Sequence, residues 1–123
     1  MIKEIAFTVY PAKEVSRLRD FYRDVLGLRF TGEFAENGVL KYDEARLNGG
    51  YFAVMTDEWA GRPAGTAASI VFEVDDIERA RNELIANGLA VEEIYDTPVC
   101  RLTSFEDPEG NKVSLHQRTA PSE

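Results

Sequence analysis

A pattern that occurs twice constrains this chain more than anything else in it. A strand-like run leads into an amphipathic helix that closes on Gly-Leu, and further strands follow. The first copy is IAFTVY with KEVSRLRDFYRDVLGL, and the second is SIVFEVDD with IERARNELIANGL. A repeat of this size sets the architecture before any single residue is considered. Two copies of a small sheet can enclose a cleft, and the side chains turned into that cleft then decide the chemistry.

Periodicity fills in the elements. Ile5, Phe7 and Val9 alternate with Glu4, Ala6 and Thr8, which predicts a half-buried strand that Pro11 ends. Val15, Leu18, Phe21, Tyr22, Val25 and Leu26 recur at helical spacing, with Gly27 placed to close the helix. Strands are expected over 28–34, 39–43 and 51–55, separated by Asn37-Gly38 and Asn48-Gly49-Gly50. In the second copy a strand is expected over 69–74, with Ile70, Phe72 and Val74 on one face. A helix bearing Ile77, Ala80, Leu84 and Ile85 follows and ends at Gly88; Asp75 or Asp76 caps it, and Asp75 with Glu78 has capping-box spacing. Strands over 89–94, 99–105 and 112–116 complete the copy, the last two joined by the turn sequence EDPEGN. Each half reads βαβββ. The fold class is α+β, with eight strands and two helices, the helices covering one face of the sheets. The modules run over 1–58 and 67–118, with 59–66 as linker and 119–123 as a tail, all in one compact domain. Trp59 in the linker packs over a core edge, or serves as a lid or a dimer contact.

Charge narrows the partners. A net charge of −8 argues against nucleic acid and against an anionic membrane, since both require a basic surface. Cys100 is the only cysteine, so no internal disulfide forms, as suits a reducing compartment. The run MIKEIAFTVY carries an acid and lacks a signal-peptide core, so a cytoplasmic location is expected.

FYRDVLGLRF and FEDPEGNKVSLHQ resemble the two signatures of the vicinal oxygen chelate superfamily, which includes glyoxalases, bleomycin resistance proteins and extradiol dioxygenases. The resemblance covers residues 2–117. It implies paired βαβββ modules, related by a pseudo-two-fold axis and curved into an open cup with the helices outside. It also implies a homodimer. Metal-using members hold a divalent ion in the cup through His and Glu, while others bind an organic ligand without metal.

Alternation then assigns the residues that face the cup. Strand one contributes Glu4, Ala6 and Thr8, and the fourth strand Ala53. The strand opening the second half contributes Ser69, Val71 and Glu73. The last two strands contribute Cys100, Leu102 and Ser104, and Lys112, Ser114 and His116. The family's metal positions, carried over one by one, fall on Glu4, Ala53, Ser69 and Ser114. One carboxylate, a methyl and two hydroxyls do not make the convergent donor set that Zn²⁺ or Fe²⁺ requires, so no metal or other cofactor is expected.

Cys100 and His116 lie nearly opposite each other if the hairpin pairs about Pro108, a weak candidate pair of nucleophile and base. The reading preferred for them is a small buried thiol and a strand-end imidazole. Lys112 and Arg101 are candidate anion contacts or solvated cations, and Tyr42 and Tyr51 are candidate walls or core. Glu106, Asp107 and Glu109 read as turn residues rather than a calcium site. The expected function is metal-free binding of a small organic molecule by Glu4, Ser69, Glu73, Cys100, Leu102, Ser104, Ser114 and His116. The alternatives are a lyase, isomerase or dioxygenase with an atypical site, or an interaction module with a vestigial cup.

Overall fold

A computed structural model describes residues 1–67 and 69–120. Among these residues the elements run β1 (Phe7–Ala12), α1 (Val15–Asp24), β2 (Phe34–Glu36), β3 (Val39–Leu47), β4 (Gly50–Thr56), α2 (Asp57–Ala60), β5 (Ile70–Glu73), α3 (Ile77–Ala86), β6 (Tyr95–Asp96), β7 (Cys100–Glu106) and β8 (Lys112–Arg118). They form two four-stranded sheets of identical plan, β1-β4-β3-β2 and β5-β8-β7-β6. In each the first strand runs parallel to the fourth and the remaining pairs are antiparallel. This is the α+β, twofold βαβββ arrangement that the repeat predicts.

The chain divides into two units. Unit 1 holds Met1–Ala67 together with Pro108–Asn111, and unit 2 holds Ala68–Asp107 and Lys112–Glu123. The turn between β7 and β8 therefore belongs to unit 1, and its side chains show why. The Glu109 carboxylate accepts from the amides of Lys13 and Glu14, 3.0 Å each, just ahead of α1. Negative charge is favoured at that helix end, and Glu14 supplies no side-chain cap of its own. Arg17 donates to the Pro108 carbonyl at 2.7 Å. The buried Asn111 amide oxygen accepts from Gly65 N at 3.0 Å. Gly65 has a φ of 86°, and a β-carbon there would sit 3.0 Å from the Glu109 carbonyl oxygen, so a side chain is excluded on two counts.

Packing follows from the apolar stripes. In unit 1, Tyr10, Tyr22 and Phe52 are buried and their rings meet, Tyr22 and Phe52 with centroids 4.7 Å apart, which seats α1 on β1 and β4. Beside them Arg19 of α1 reaches the buried Asp43 of β3 at 2.8 Å, along with Asp20 at 2.8 Å and Glu33 at 3.0 Å. Burial opposes the charge on Arg19, but these carboxylates outweigh it and hold the guanidinium pKa above its ordinary value. In unit 2, Ile77 and Leu84 of α3 are buried with Phe105, Val113 and Leu115. Gln117 of β8 accepts from the Ile77 amide at 2.9 Å.

Several expectations are corrected. There are three helices among the described residues rather than two. Across the boundary between the expected first module and linker, Thr56 accepts from Trp59 N at 3.1 Å and Gly61 closes the turn at a φ of 71°, producing α2. Asp76 caps α3 by accepting from Arg79 N at 3.1 Å, and Glu78 pairs with Arg101 instead of closing a capping box. The second and sixth strands begin later than expected, because side chains intercept the backbone groups ahead of them. Asp43 takes the Gly32 amide at 2.9 Å. Arg81 takes the carbonyls of Val91 and Glu92, and Thr103 also donates to Glu92 O. Of the expected tail, Thr119 N bonds to Val99 O at 2.9 Å, while 121–123 lie outside the described residues.

Candidate functional site

Each sheet has one face covered by its helix and one free of it, and the register identifies the residues on each. In unit 1 the Tyr10–Tyr22 ring contact and the Arg19–Asp43 pair mark the helix side. Thr8, Tyr10, Phe52, Val54, Asp43 and Ala45 share it by pairing. Phe7, Val9, Tyr51, Ala53, Met55, Tyr42 and Glu44 therefore occupy the helix-free face. This reverses the expectation for strand one, in which Phe7 and Val9 were to face the helix and Thr8 the cleft. Phe7 is 43% exposed, whereas the buried run of β1 begins at Tyr10. The apolar alternation thus belonged to the open face.

That face is filled over its centre. Phe7 of β1 and Tyr42 of β3 come from the strands flanking Ala53, with ring centroids 6.2 Å apart, edge to face. Ala53 between them is 0% exposed. The Tyr42 hydroxyl donates to Glu44 at 2.5 Å, and Glu44 stands opposite Ala53 in the ladder. Burial, and then the Glu44 carboxylate, push the Tyr42 phenol well above its ordinary pKa. Gly32 has no side chain because a β-carbon there would meet the Glu44 stem at 2.5 Å. Glu44 was not singled out in the sequence; a charged residue in phase with Tyr42 was the available signal. Glu4 precedes β1 and lines a separate cavity of about 520 Å³ with Arg46, Tyr51 and Gly49–Gly50 of the β3–β4 turn. Among residues near the open face, Trp59 is exposed and its ring lies 5.7 Å from that of Phe34.

In unit 2 the alternation is read correctly. Arg101, which pairs with Asp96 at 2.7 Å and with Glu78 of α3 at 3.2 Å, marks the helix side. The opposite face carries Val71, Glu73, Cys100, Leu102, Ser104, Lys112, Ser114 and His116, as expected. Ser69 lies just ahead of β5 and is exposed. Two polar pairs organise this face. Ser104 and Ser114 are opposed in the ladder and their hydroxyls bond at 2.8 Å. His116 Nδ1 bonds the Glu73 carboxylate at 2.5 Å, and the other oxygen of Glu73 accepts from Arg118 N at 2.7 Å. The Arg118 amide first, and His116 second, hold the Glu73 carboxyl below its ordinary range. A cavity of about 530 Å³ opens beside Ser104, with Leu89, Ala90 and Lys112 in its wall.

The expected Cys100/His116 opposition does not occur. The hairpin closes at Glu106↔Lys112, so Cys100 faces Arg118 and His116 faces Leu102. Cys100 and His116 are diagonal neighbours, a relation that places β-carbons about 7–8 Å apart. The buried Cys100 thiol instead meets Thr97 Oγ1 at 3.1 Å, and that oxygen also accepts from the Cys100 amide at 3.0 Å. The turn at Thr97 explains the thiol's setting without a catalytic role, and nothing in the Cys100 signal alone could have revealed it.

A divalent metal does not fit the residues at the family's positions. Ala53 offers no donor and lies buried under Phe7 and Tyr42, Ser114 is bonded to Ser104, and Glu4 stands ahead of β1 in its own cavity. No group of three His, Cys, Asp or Glu side chains converges among the described residues.

Comparisons with known proteins agree with the architecture. A model of the Glyoxalase/Bleomycin resistance protein/Dioxygenase superfamily matches residues 4–115. Among solved structures, the antibiotic-binding protein TnmS3 from Streptomyces sp. CB03234 is similar at a TM-score of 0.83 and 20% identity, covering 96% of this chain and 98% of its own. A superfamily member from Sphaerobacter thermophilus DSM 20745 gives 0.78 and 22%, covering 94% and 98%. Lactoylglutathione lyase from Agrobacterium tumefaciens gives 0.76 and 19%, covering 95% of each chain. At such identities the likeness is one of fold. No curated protein matches the sequence.

Proposed function

The chain belongs to the glyoxalase/bleomycin resistance protein/dioxygenase superfamily, and from that premise we propose that it binds a small organic molecule without a metal ion, on the helix-free faces that the family resemblance assigns to the ligand. The helix-free face of β5-β8-β7-β6 carries this reading. It presents apolar surface at Val71, 52% exposed, and at Leu102, together with a few fixed polar groups: the Ser104–Ser114 hydroxyls and the Glu73–His116 pair. Ligand sites are typically largely apolar surfaces with a small number of oriented polar groups. The fold is also that of an antibiotic-binding protein, which supports a binding role.

The protein acts in the cytoplasm as a homodimer, and its net charge of −8 directs it away from nucleic acid and anionic membranes. Exposed apolar side chains away from that face, such as Phe34 and Trp59, support self-association. Among the described residues no helix is long and apolar enough to cross a membrane.

The decisive experiment is a thermal-shift screen of aromatic and cationic metabolites run with and without a chelator. A native-state ligand raises the apparent melting temperature, and the shift should survive chelation. A shift that appears only with added Zn²⁺, Fe²⁺, Mn²⁺ or Ni²⁺ would replace this reading with metal-dependent chemistry. Light scattering checks assembly, since a species at 13.8 kDa would be the monomer.

A further inference from the structure

The β3–β4 turn of unit 1 borders a cavity of about 520 Å³, within the usual size range of small-molecule sites. The register shows how it is built. Leu47 closes the hairpin against Gly50, and one step inward Arg46 of β3 stands opposite Tyr51 of β4, which in turn stands beside Phe7 of β1. Tyr51 therefore sits on the middle strand of three, with Arg46 on one side and the run that leads into β1 on the other. Two strand spacings, about 10 Å, separate those flanking backbones. Arg46 lines the cavity from the β3 side and Glu4 from the β1 side. Gly49 and Gly50 add no side chain to fill the space between them. The charges set this cavity apart. Glu4 and Arg46 have opposite sign and share one cavity, yet neither side chain forms an ion pair or a hydrogen bond among the described residues. The Asn48 amide adds a neutral donor and acceptor, and Ile5, Leu47 and Tyr51 supply exposed apolar surface. A guanidinium takes a carboxylate through paired N–H donors, and a carboxylate takes an ammonium. The complement of the whole cavity is a molecule that carries both charges on an apolar body.

We propose that this cavity binds a small zwitterion of the apolar amino acid class. The ligand carboxylate lies on Arg46, its ammonium on Glu4, and its side chain over Tyr51. The site is separate from the open face of unit 2 and takes a different ligand chemistry, so it does not rest on the binding reading given for that face.

The test uses L-phenylalanine with two analogues: 2-phenylethylamine, which lacks the carboxylate, and 3-phenylpropanoate, which lacks the ammonium. Titration calorimetry on the full chain should show L-phenylalanine binding about fivefold more tightly than either analogue, the upper range for an exposed ion pair. Added salt should narrow both gaps. Arg46→Gln should bring L-phenylalanine down to the level of 2-phenylethylamine, and Glu4→Gln to that of 3-phenylpropanoate. Both substitutions fall on exposed side chains, so circular dichroism should match wild type. Should either variant fail to fold, the amide shifts of the wild-type protein decide. On addition of L-phenylalanine they should move at Gly49 and Gly50 and stay in place at Ser104 and Ser114. Absence of saturable binding by L-phenylalanine, equal binding of all three compounds, a preference that persists in the variants, or shifts centred on Ser104 and Ser114 would overturn the proposal.

Discussion

The two sheets share strand order and pairing sense, yet their helix-free faces have opposite characters. In unit 1 the face closes over its centre: Phe7 and Tyr42 meet across a fully buried Ala53. In unit 2 the equivalent surface stays open and functionalised, with paired hydroxyls and an imidazole held by a carboxylate. The same backbone plan therefore gives an aromatic plug in one copy and two hydrogen-bonded polar pairs in the other. Topology supplies two comparable surfaces, and side-chain volume and hydrogen bonding decide how much of each is covered. A fold shared by many chemistries differs in such side chains and not in its backbone plan.

The sharpest way to break that comparison is Ala53→Glu. A carboxylate forced under the Phe7 and Tyr42 rings should cost roughly 4 kcal/mol in urea denaturation, as buried unpaired charges do. A variant that folds normally and gains stability with Zn²⁺ would show that unit 1 has room for a metal after all. Next in size is Asp43→Ala on the helix side of unit 1, which strips Arg19 of its buried partner and should cost about 3 kcal/mol. In unit 2 the Arg101–Glu78 pair is solvent-exposed, and the buried polar fastening on that side is the Thr103 hydroxyl on Glu92 O. Thr103→Val should cost only about 1 kcal/mol by the same measurement, the net worth of one neutral hydrogen bond. If the two losses proved equal, the contrast between an ion-anchored and a hydroxyl-anchored unit would fall.

The smallest effect concerns acid. The Glu73 carboxyl is held below its ordinary value of 4.5. A carboxyl with a depressed folded-state pKa stabilises the protein above its unfolded value, and that stabilisation is lost as the pH falls through the folded one. Wild type should therefore melt slightly higher than Glu73→Gln near neutrality, with the two converging below pH 4.5. A gap that is constant with pH would remove the charge of Glu73 from the account.

The sequence exposed the architecture because the repeat, the Gly27 and Gly88 closures and the period-two runs are local signals. The face of β7 and β8 was legible for the same reason: Phe105 and Val113 are buried with the helix, so their neighbours point the other way. In strand one the same logic inverted the faces. Ile5, Phe7 and Val9 look like a core stripe, but the strand begins at Phe7 and buries Tyr10 and Ala12 instead. Hydrophobic alternation reports that one face is apolar, and an aromatic-lined open face satisfies it as well as a core does. The pairing of β7 with β8 was placed two residues from its true register, because five turn residues, 107–111, separate Glu106 from Lys112. Part of that turn is engaged elsewhere. Glu109 serves α1 and Asn111 serves Gly65, contacts between residues up to 96 positions apart. No local reading contains them.

The amino-acid sequence alone determined the twofold βαβββ plan, the family and the list of polar residues on the second copy's open face, because these follow from periodicity and turn chemistry within short windows. Only the tertiary structure decided that Ala53 lies under Phe7 and Tyr42, that His116 answers to Glu73 rather than Cys100, and that Thr97 holds the thiol. Such pairings depend on strand register and on the length of the turn: a two-residue slip keeps every side chain on its face but changes which side chains meet.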